Sequence, residues 1–449
     1  MLFSSIEFFL FLSVFVIAIF FLKNNQRNII IIFSLFFYSY WNYFFFPLII
    51  FFCLATYFLI KKNLRLIISI PLILLPLIYF KYSLFLVDLL NLDLLREFSY
   101  KGELPLAISF VTFTIIAVLV DRKNQENDQY NLKNLSEYIL YFPQLIAGPI
   151  LRLKQLFPQL NNKISFIKEN IKIGIILFCI GYIKKVFFAD NIALLIDPYF
   201  EDPQIASRQD LIQAFLLFPV QIYFDFSGYV DMALGVSKIF GINLPQNFNM
   251  PYHATSITDF WRRWHITLSN WFKDYLYIPL GGSKNGKLKN YLNLIVTMTI
   301  AGIWHGASLN FILWGFLNGI ILCFEKLFNL VSLKYNFIKN IFACFIIFNL
   351  WIFFRISDFP SIIVFFDNLY LADESLLVLE NFLTLFFVII IVFLQKFENH
   401  NFLFFLSKKL NFFFIISFLI RFKPQIILFF ILKVIIFCLN NISTCTIDP

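Results

Sequence analysis

The sequence predicts an all-α polytopic integral membrane protein, and three observations carry that reading. Of its 449 residues, 60% are hydrophobic and only 14% are charged, with a mean hydropathy of +0.79. A soluble fold of this length has no interior large enough to hide so much apolar surface, whereas a bilayer accepts it. The apolar residues also come in continuous runs instead of alternating with period two, which favours helices over a β-barrel. Finally, Lys and Arg gather in short clusters between the runs. The net charge of +9 therefore reads as basic cytoplasmic loops, with no nucleic-acid partner implied.

Element by element, Phe8–Leu22 is the first apolar run. The preceding Met1-Leu-Phe-Ser-Ser-Ile-Glu7 has no basic region and no small-residue cleavage site, so the run reads as a retained span. Ile29–Ile60 would be roughly 48 Å long as one helix, too much for a single upright crossing. A break is expected at Tyr38–Pro47, where Tyr38, Tyr40, Trp41 and Tyr43 suit the membrane interface. One span runs on to about Tyr82 and another covers Leu104–Val120. The clusters Lys23–Arg27, Lys61–Arg65 and Asp121–Lys123 then all fall on one side, which predicts an outside N-terminus.

The middle of the chain is less regular. Tyr141-Phe-Pro-Gln-Leu-Ile-Ala-Gly-Pro149 is too short and too broken to span, and reads as a re-entrant or buried segment. Ile171–Ala189 is a span interrupted by Lys184 and Lys185. Leu211–Phe226 and Val230–Phe240 read as two short runs split by Ser227-Gly228. Gly241–Lys289 has no credible span and suits helices lying in the headgroup region. Tyr291–Phe324 returns to the membrane, followed by Phe337–Phe354, Leu376–Leu394 and Phe412–Leu439. The total is about ten or eleven membrane segments. No linker or repeat divides them, so 1–449 is one domain, with N-terminal spans in 1–100, a central region in 100–360 and C-terminal spans in 361–449. The six cysteines, Cys53, Cys179, Cys323, Cys344, Cys438 and Cys445, show neither disulfide nor zinc spacing.

Only four histidines occur, and one lies in the apolar, aromatic stretch Ala301-Gly-Ile-Trp-His305-Gly-Ala-Ser-Leu-Asn310. An ionisable side chain at membrane depth is a functional candidate. A second lies upstream in Phe260-Trp-Arg-Arg-Trp-His265-Ile-Thr-Leu-Ser269. His253 reads as a loop residue and His400 as a surface one.

Several motifs in one order carry a resemblance. They are Leu104-Pro-Leu-Ala-Ile-Ser-Phe110, Phe142–Pro149, Lys184-Lys185, Gln221-Ile-Tyr-Phe-Asp225-Phe-Ser-Gly-Tyr-Val-Asp231 and Asn247-Phe-Asn249-Met-Pro-Tyr252. The block around His265, Asp274-Tyr-Leu-Tyr-Ile-Pro-Leu-Gly-Gly282, Ile303-Trp-His305-Gly and Trp351-Ile-Phe-Phe-Arg355 complete the set. Over about residues 100–360 the chain resembles the membrane-bound O-acyltransferase family, in its branch of bacterial alginate and peptidoglycan O-acetylation proteins. It departs from the pattern at Thr114, at Asn318 where a histidine is frequent, and in the Asn440–Pro449 tail, which lacks an aromatic ending.

The resemblance implies a funnel of tilted helices in the inner (plasma) membrane, with His305 catalytic and His265 assisting. It implies an acyl donor, acetyl-CoA or another acyl thioester, with no bound cofactor and no metal. It further implies a polysaccharide acceptor and an exported esterase-like partner carrying a Ser-His-Asp triad. Acyl transfer to a hydroxyl needs a base and an oxyanion donor. Neutral His305 can be the base, and on a continuous helix Ser308 at i+3 would share its face. Gly302 and Gly306 would allow close approach. Arg262, Arg263, Trp264, Trp304, Ser308 and Asn310 are the candidate substrate-binding residues.

Plainer alternatives stand beside each assignment. His305 could be a packed histidine bonded to a carbonyl, and His265 with Trp261, Trp264 and Trp271 part of an interfacial belt. Arg262, Arg263, Lys273 and Lys284 suit donor phosphates, but charge alone favours anionic lipid. Gly281-Gly282 is no phosphate loop, and Asp225 and Asp231 could pair with lysines. D-alanyl transfer to teichoic acid is the rival within the family, against which Tyr277–Gly282 weighs. A proton-coupled transporter is the rival outside it; paired intramembrane carboxylates and matching half-repeats, which it would need, are missing.

Overall fold

The computed structural model describes residues 1–122, 130–146, 148–162, 164, 166–328, 335–371 and 379–398. Among them the regular structure is helical. The first four helices are α1 (Ile6–Phe21), α2 (Gln26–Trp41), α3 (Phe46–Lys61) and α4 (Leu66–Leu89), the last with a π-helical turn at Ile78–Tyr82. Next come α5 (Ile108–Asp121), α6 (Leu132–Leu140), α7 (Phe142–Leu145), α8 (Leu153–Asn161), α9 (Lys168–Tyr182) and α10 (Asp190–Glu201). Then follow α11 (Arg208–Ile239), α12 (Ile257–Arg263), α13 (Ile266–Phe272), α14 (Lys287–His305) and α15 (Leu309–Phe328). The last three are α16 (Asn336–Arg355), α17 (Phe359–Tyr370) and α18 (Leu379–Leu394).

Among the described residues, Tyr43–Lys61, α4, α11, α15 and α16 are long and apolar enough to cross a membrane, making five, or six if α1 and α2, bent by 104°, form one broken span. That is fewer full spans than the ten or eleven membrane segments expected. At about 1.5 Å per residue, helices such as α5, α17 and α18 fall short of a hydrocarbon core roughly 30 Å thick. Phe412–Leu439 lies outside the described residues. The expected break in Ile29–Ile60 falls at Asn42, extended with φ −158°, ψ 114°, and its side chain accepts from Phe44 N–H at 3.0 Å.

The split expected at Ser227-Gly228 is absent, because α11 runs unbroken for 32 residues. Gly228 instead serves packing against α9. A Cβ there would meet Gly181 O at 2.8 Å, and one at Gly235 would meet Gly174 O at 2.5 Å. Two glycine pairs thus let the α9 and α11 backbones touch. Just past α9, Lys184 pairs with Asp231 at 2.8 Å, and Lys185 reaches Asp190 at 2.7 Å and Asp225. The candidate carboxylates are therefore lysine partners, which is how buried charge is tolerated.

Around α7 the chain is buried, and hydrogen bonds tie it and its flanks into the fold. Phe142 N–H donates to Ser34 Oγ at 3.2 Å, Gln144 Nε2 to Tyr138 O at 2.6 Å, and Tyr138 hydroxyl to Leu151 O at 2.5 Å. The rings of Phe8, Phe11, Phe15 and Phe37 pack onto Phe142 at centroid distances of 5.2–6.5 Å.

Candidate active site

The site forms where the α14–α15 hairpin meets the bend between α12 and α13. Helix α14 ends at His305, because Gly306 is extended (φ −163°, ψ 156°) and turns the chain into α15. The hairpin closes on glycines: a Cβ at Gly302 would lie 3.1 Å from Gly315 Cα. Ser308 is consequently not on the helix of His305, contrary to the i+3 expectation. It precedes α15, where its Oγ accepts from Asn310 N–H at 3.3 Å.

A helix end leaves carbonyls without intrahelical partners and carries partial negative charge. Here α4 supplies the cap. Tyr82 hydroxyl donates to Ile303 O at 2.8 Å. Lys81 Nζ donates to Trp304 O and, at 3.2 Å, to His305 O, while a third contact at 3.3 Å reaches Ser109 Oγ on α5. A cation from a different helix thereby fixes the backbone of His305.

The imidazole of His305 stands among aromatic rings. Trp304 lies 4.8 Å away, Phe354 5.1 Å and Trp314 5.2 Å between centroids, all edge-to-face, and Phe311 is 6.4 Å away. No described side chain or carbonyl hydrogen-bonds its ring nitrogens, and the ring is half-buried. The alternative of a histidine packed onto a carbonyl is not the arrangement observed.

His265 is held differently. It occupies a left-handed conformation (φ 43°, ψ 55°) at the start of α13, a strained backbone for a residue with a Cβ. Its side chain is 2% exposed. Nδ1 lies 3.2 Å from Asn247 Oδ1, whereas Nε2 is buried without a partner. The ring sits edge-on to Phe226 at 4.7 Å and to Trp304 at 6.4 Å. Burial pushes its pKa well below the ordinary histidine value, with repulsion from His305 adding to the effect. Trp304 therefore contacts both imidazoles, and its own Nε1–H is buried without an acceptor.

The other sequence candidates lie outside this group. Arg262 is exposed on α12. Arg263 is engaged by Asp259 at 2.9 Å and Asn249 O at 3.4 Å. Trp264 is buried against Phe248, Phe260 and Trp351 at 5.0–5.6 Å. Asn310 donates to Ile356 O.

Lys81, Asn247, Trp314 and Phe354 were not singled out for the site by sequence reasoning. Lys81 did leave a signal, a lone cation inside an apolar run. Asn318, noted as a departure, accepts from Trp261 Nε1 at 3.2 Å and donates to Trp314 O at 2.8 Å. It joins α12 to the helix bearing one wall of the His305 cage. Among the described residues, no group of three metal-ligating side chains converges.

Comparison with known proteins agrees with this architecture. The chain is 41% identical over 319 residues to the peptidoglycan O-acetyltransferase of Helicobacter pylori, covering 63% of this chain and 60% of the relative. It is 41% identical over 255 residues to the probable alginate O-acetylase of Pseudomonas aeruginosa, covering 55% and 48%. The teichoic acid D-alanyltransferase of Bacillus subtilis is 29% identical over 251 residues, covering 52% and 62%. The match thus spans about half to three-fifths of those relatives' own length. The model of the membrane-bound O-acyltransferase family matches residues 33–364. By that match, which includes α12 to α15 and both histidines, this chain belongs to the membrane-bound O-acyltransferase family.

Proposed function

We propose that this protein transfers an acyl group, acetyl, from a thioester donor toward hydroxyls of an extracytoplasmic polysaccharide of the alginate or peptidoglycan kind. The observation that carries the reading is the meeting of two imidazoles across Trp304, with His265 Nε2 buried without a partner and no described group hydrogen-bonded to the His305 ring. Neutral His305 removes the proton of the attacking hydroxyl as its oxygen adds to the thioester carbonyl. The imidazolium then returns that proton to the departing thiolate as the C–S bond breaks. His265 Nε2 receives a hydrogen bond from the reacting groups, and Trp304 Nε1–H is a ready donor to the developing oxyanion. Surrounding rings exclude water, which strengthens both contacts.

Donor and a first acceptor hydroxyl, which carries the acyl group onward, meet at this site within the inner membrane. An exported esterase-like partner carrying a Ser-His-Asp triad completes delivery to the glycan. Arg262, exposed on α12, is a candidate for donor phosphate. The higher identity to the two O-acetylating relatives than to the D-alanyl one supports acetyl over D-alanyl.

The test is the ester content of envelope and exported polysaccharide in wild type, a deletion strain and His305→Ala at matched membrane expression. Loss of ester in both mutants is expected. Ester unchanged in the deletion strain would overturn the acceptor class, and ester lost only there would remove His305 from the chemistry.

A further inference from the structure

We propose that Asn247 is a positioning residue that locks His265 in the tautomer protonated at Nδ1, leaving Nε2 as the basic nitrogen offered to the site. The inference rests on the reading of His265 as part of the acyl-transfer site. Thr267 settles which end of the Asn247 amide faces the histidine. Its backbone N–H meets Asn247 Oδ1 at 3.0 Å and its hydroxyl meets the same atom at 2.9 Å. A backbone N–H can only donate, so the atom it meets is the carbonyl oxygen. The hydroxyl is oriented in turn, since Thr267 Oγ accepts from Ile150 N–H at 3.0 Å.

An amide oxygen can only accept, so His265 Nδ1, 3.2 Å from it, carries the hydrogen. A neutral imidazole has one N–H, which leaves the lone pair on Nε2. Turning the amide over would set its NH2 against the Thr267 N–H, donor against donor. Asn247 is 0% exposed, and Ser227 and Gln395, 1% and 0% exposed, share a cavity of about 40 Å³ with it. Among the described residues, the titratable and charged groups around the ring include His305, Lys81 over the face of Trp304, and the Lys184–Asp231 pair lining that cavity. Asn247 Oδ1 is the hydrogen-bond partner of Nδ1, so the tautomer is set by Asn247.

The test uses full-length protein carrying 15N-histidine in lipid nanodiscs, with His265 assigned by the signal missing in His265→Asn. Above about pH 7, the wild type is expected to show a protonated Nδ1 and a bare Nε2. Asn247→Asp keeps an acceptor, so it retains the tautomer and acyl transfer. Asn247→Leu removes the acceptor; a mixture of tautomers and a kcat lower by about tenfold or more are expected, with KM for the thioester little changed. A protonated Nε2 in the wild type would overturn the proposal, as would a wild-type tautomer in Asn247→Leu. Full transfer by His265→Ala with the expected tautomer would instead sink the reading of His265 on which it rests.

Discussion

At the bend between α12 and α13, His265 is held by its ring, whereas at the end of α14 His305 is held by its backbone. The first imidazole has a hydrogen-bond partner on Nδ1, is fully enclosed, and sits on a strained left-handed residue. The second has two ring nitrogens without partners among the described residues, a cage of aromatic edges, and a lysine grasping its carbonyl. A ring tied by hydrogen bonds has one defined protonation state but little freedom. A ring placed through its main chain keeps both nitrogens for chemistry, and this division suits an assisting and a reacting histidine.

The difference can be broken from either end. The largest effect is expected from His305→Ala, which should lower acyl transfer by about 10²–10⁴-fold with the folded yield unchanged, measured on purified protein by thiol release from the donor. Gly302→Leu should prevent the hairpin from closing, because its side chain would enter the space of Gly315. Overpacking of this kind costs about 1–3 kcal/mol, read as a lower melting temperature and reduced folded yield in detergent.

Lys81→Met should leave the end of α14 uncapped. Removing hydrogen bonds to a charged group costs about 1.5–3 kcal/mol, and transfer should fall about tenfold as His305 drifts. Lys81→Arg, which keeps the charge, should recover part of both. The smallest effect concerns acidity. His265 has a pKa below its ordinary value, so above about pH 6.5 neither folded nor unfolded chain protonates it. As pH falls further, the unfolded chain takes a proton that the native state refuses, and stability declines by up to about 1.4 kcal/mol per pH unit. Thermal unfolding of His265→Asn should show a shallower acid limb than wild type.

Much of the fold could be read from the sequence, because hydrophobic run length and aromatic breaks are local signals. The end of α2 at Trp41 and the burial of Tyr141–Leu145 followed from such signals. The errors came where a single residue type has two uses. Ser227-Gly228 reads as a breaker, yet Gly228 is the contact point of two helices and α11 continues through it. Gly306 reads as a close-approach glycine within a helix, yet it ends α14 and removes Ser308 from the face of His305.

For the site, the two histidines and Trp304 were legible because polar or amphipathic groups in apolar sequence stand out. Lys81 and Phe354 reach the same place from distant parts of the chain, and only the packing of α4 and α16 beside the hairpin brings them there. Asn247 lay within a quoted motif, but its role depends on Thr267 and Ile150 together.

The two imidazoles are expected to act as one site across Trp304. A double-substitution cycle of transfer rates tests it most directly, with His305→Ala, His265→Ala and the pair compared in purified protein. Groups that work as a unit are strongly non-additive, so the pair should be no slower than the worse single variant. Losses that multiply, as for independent sites, would contradict the account.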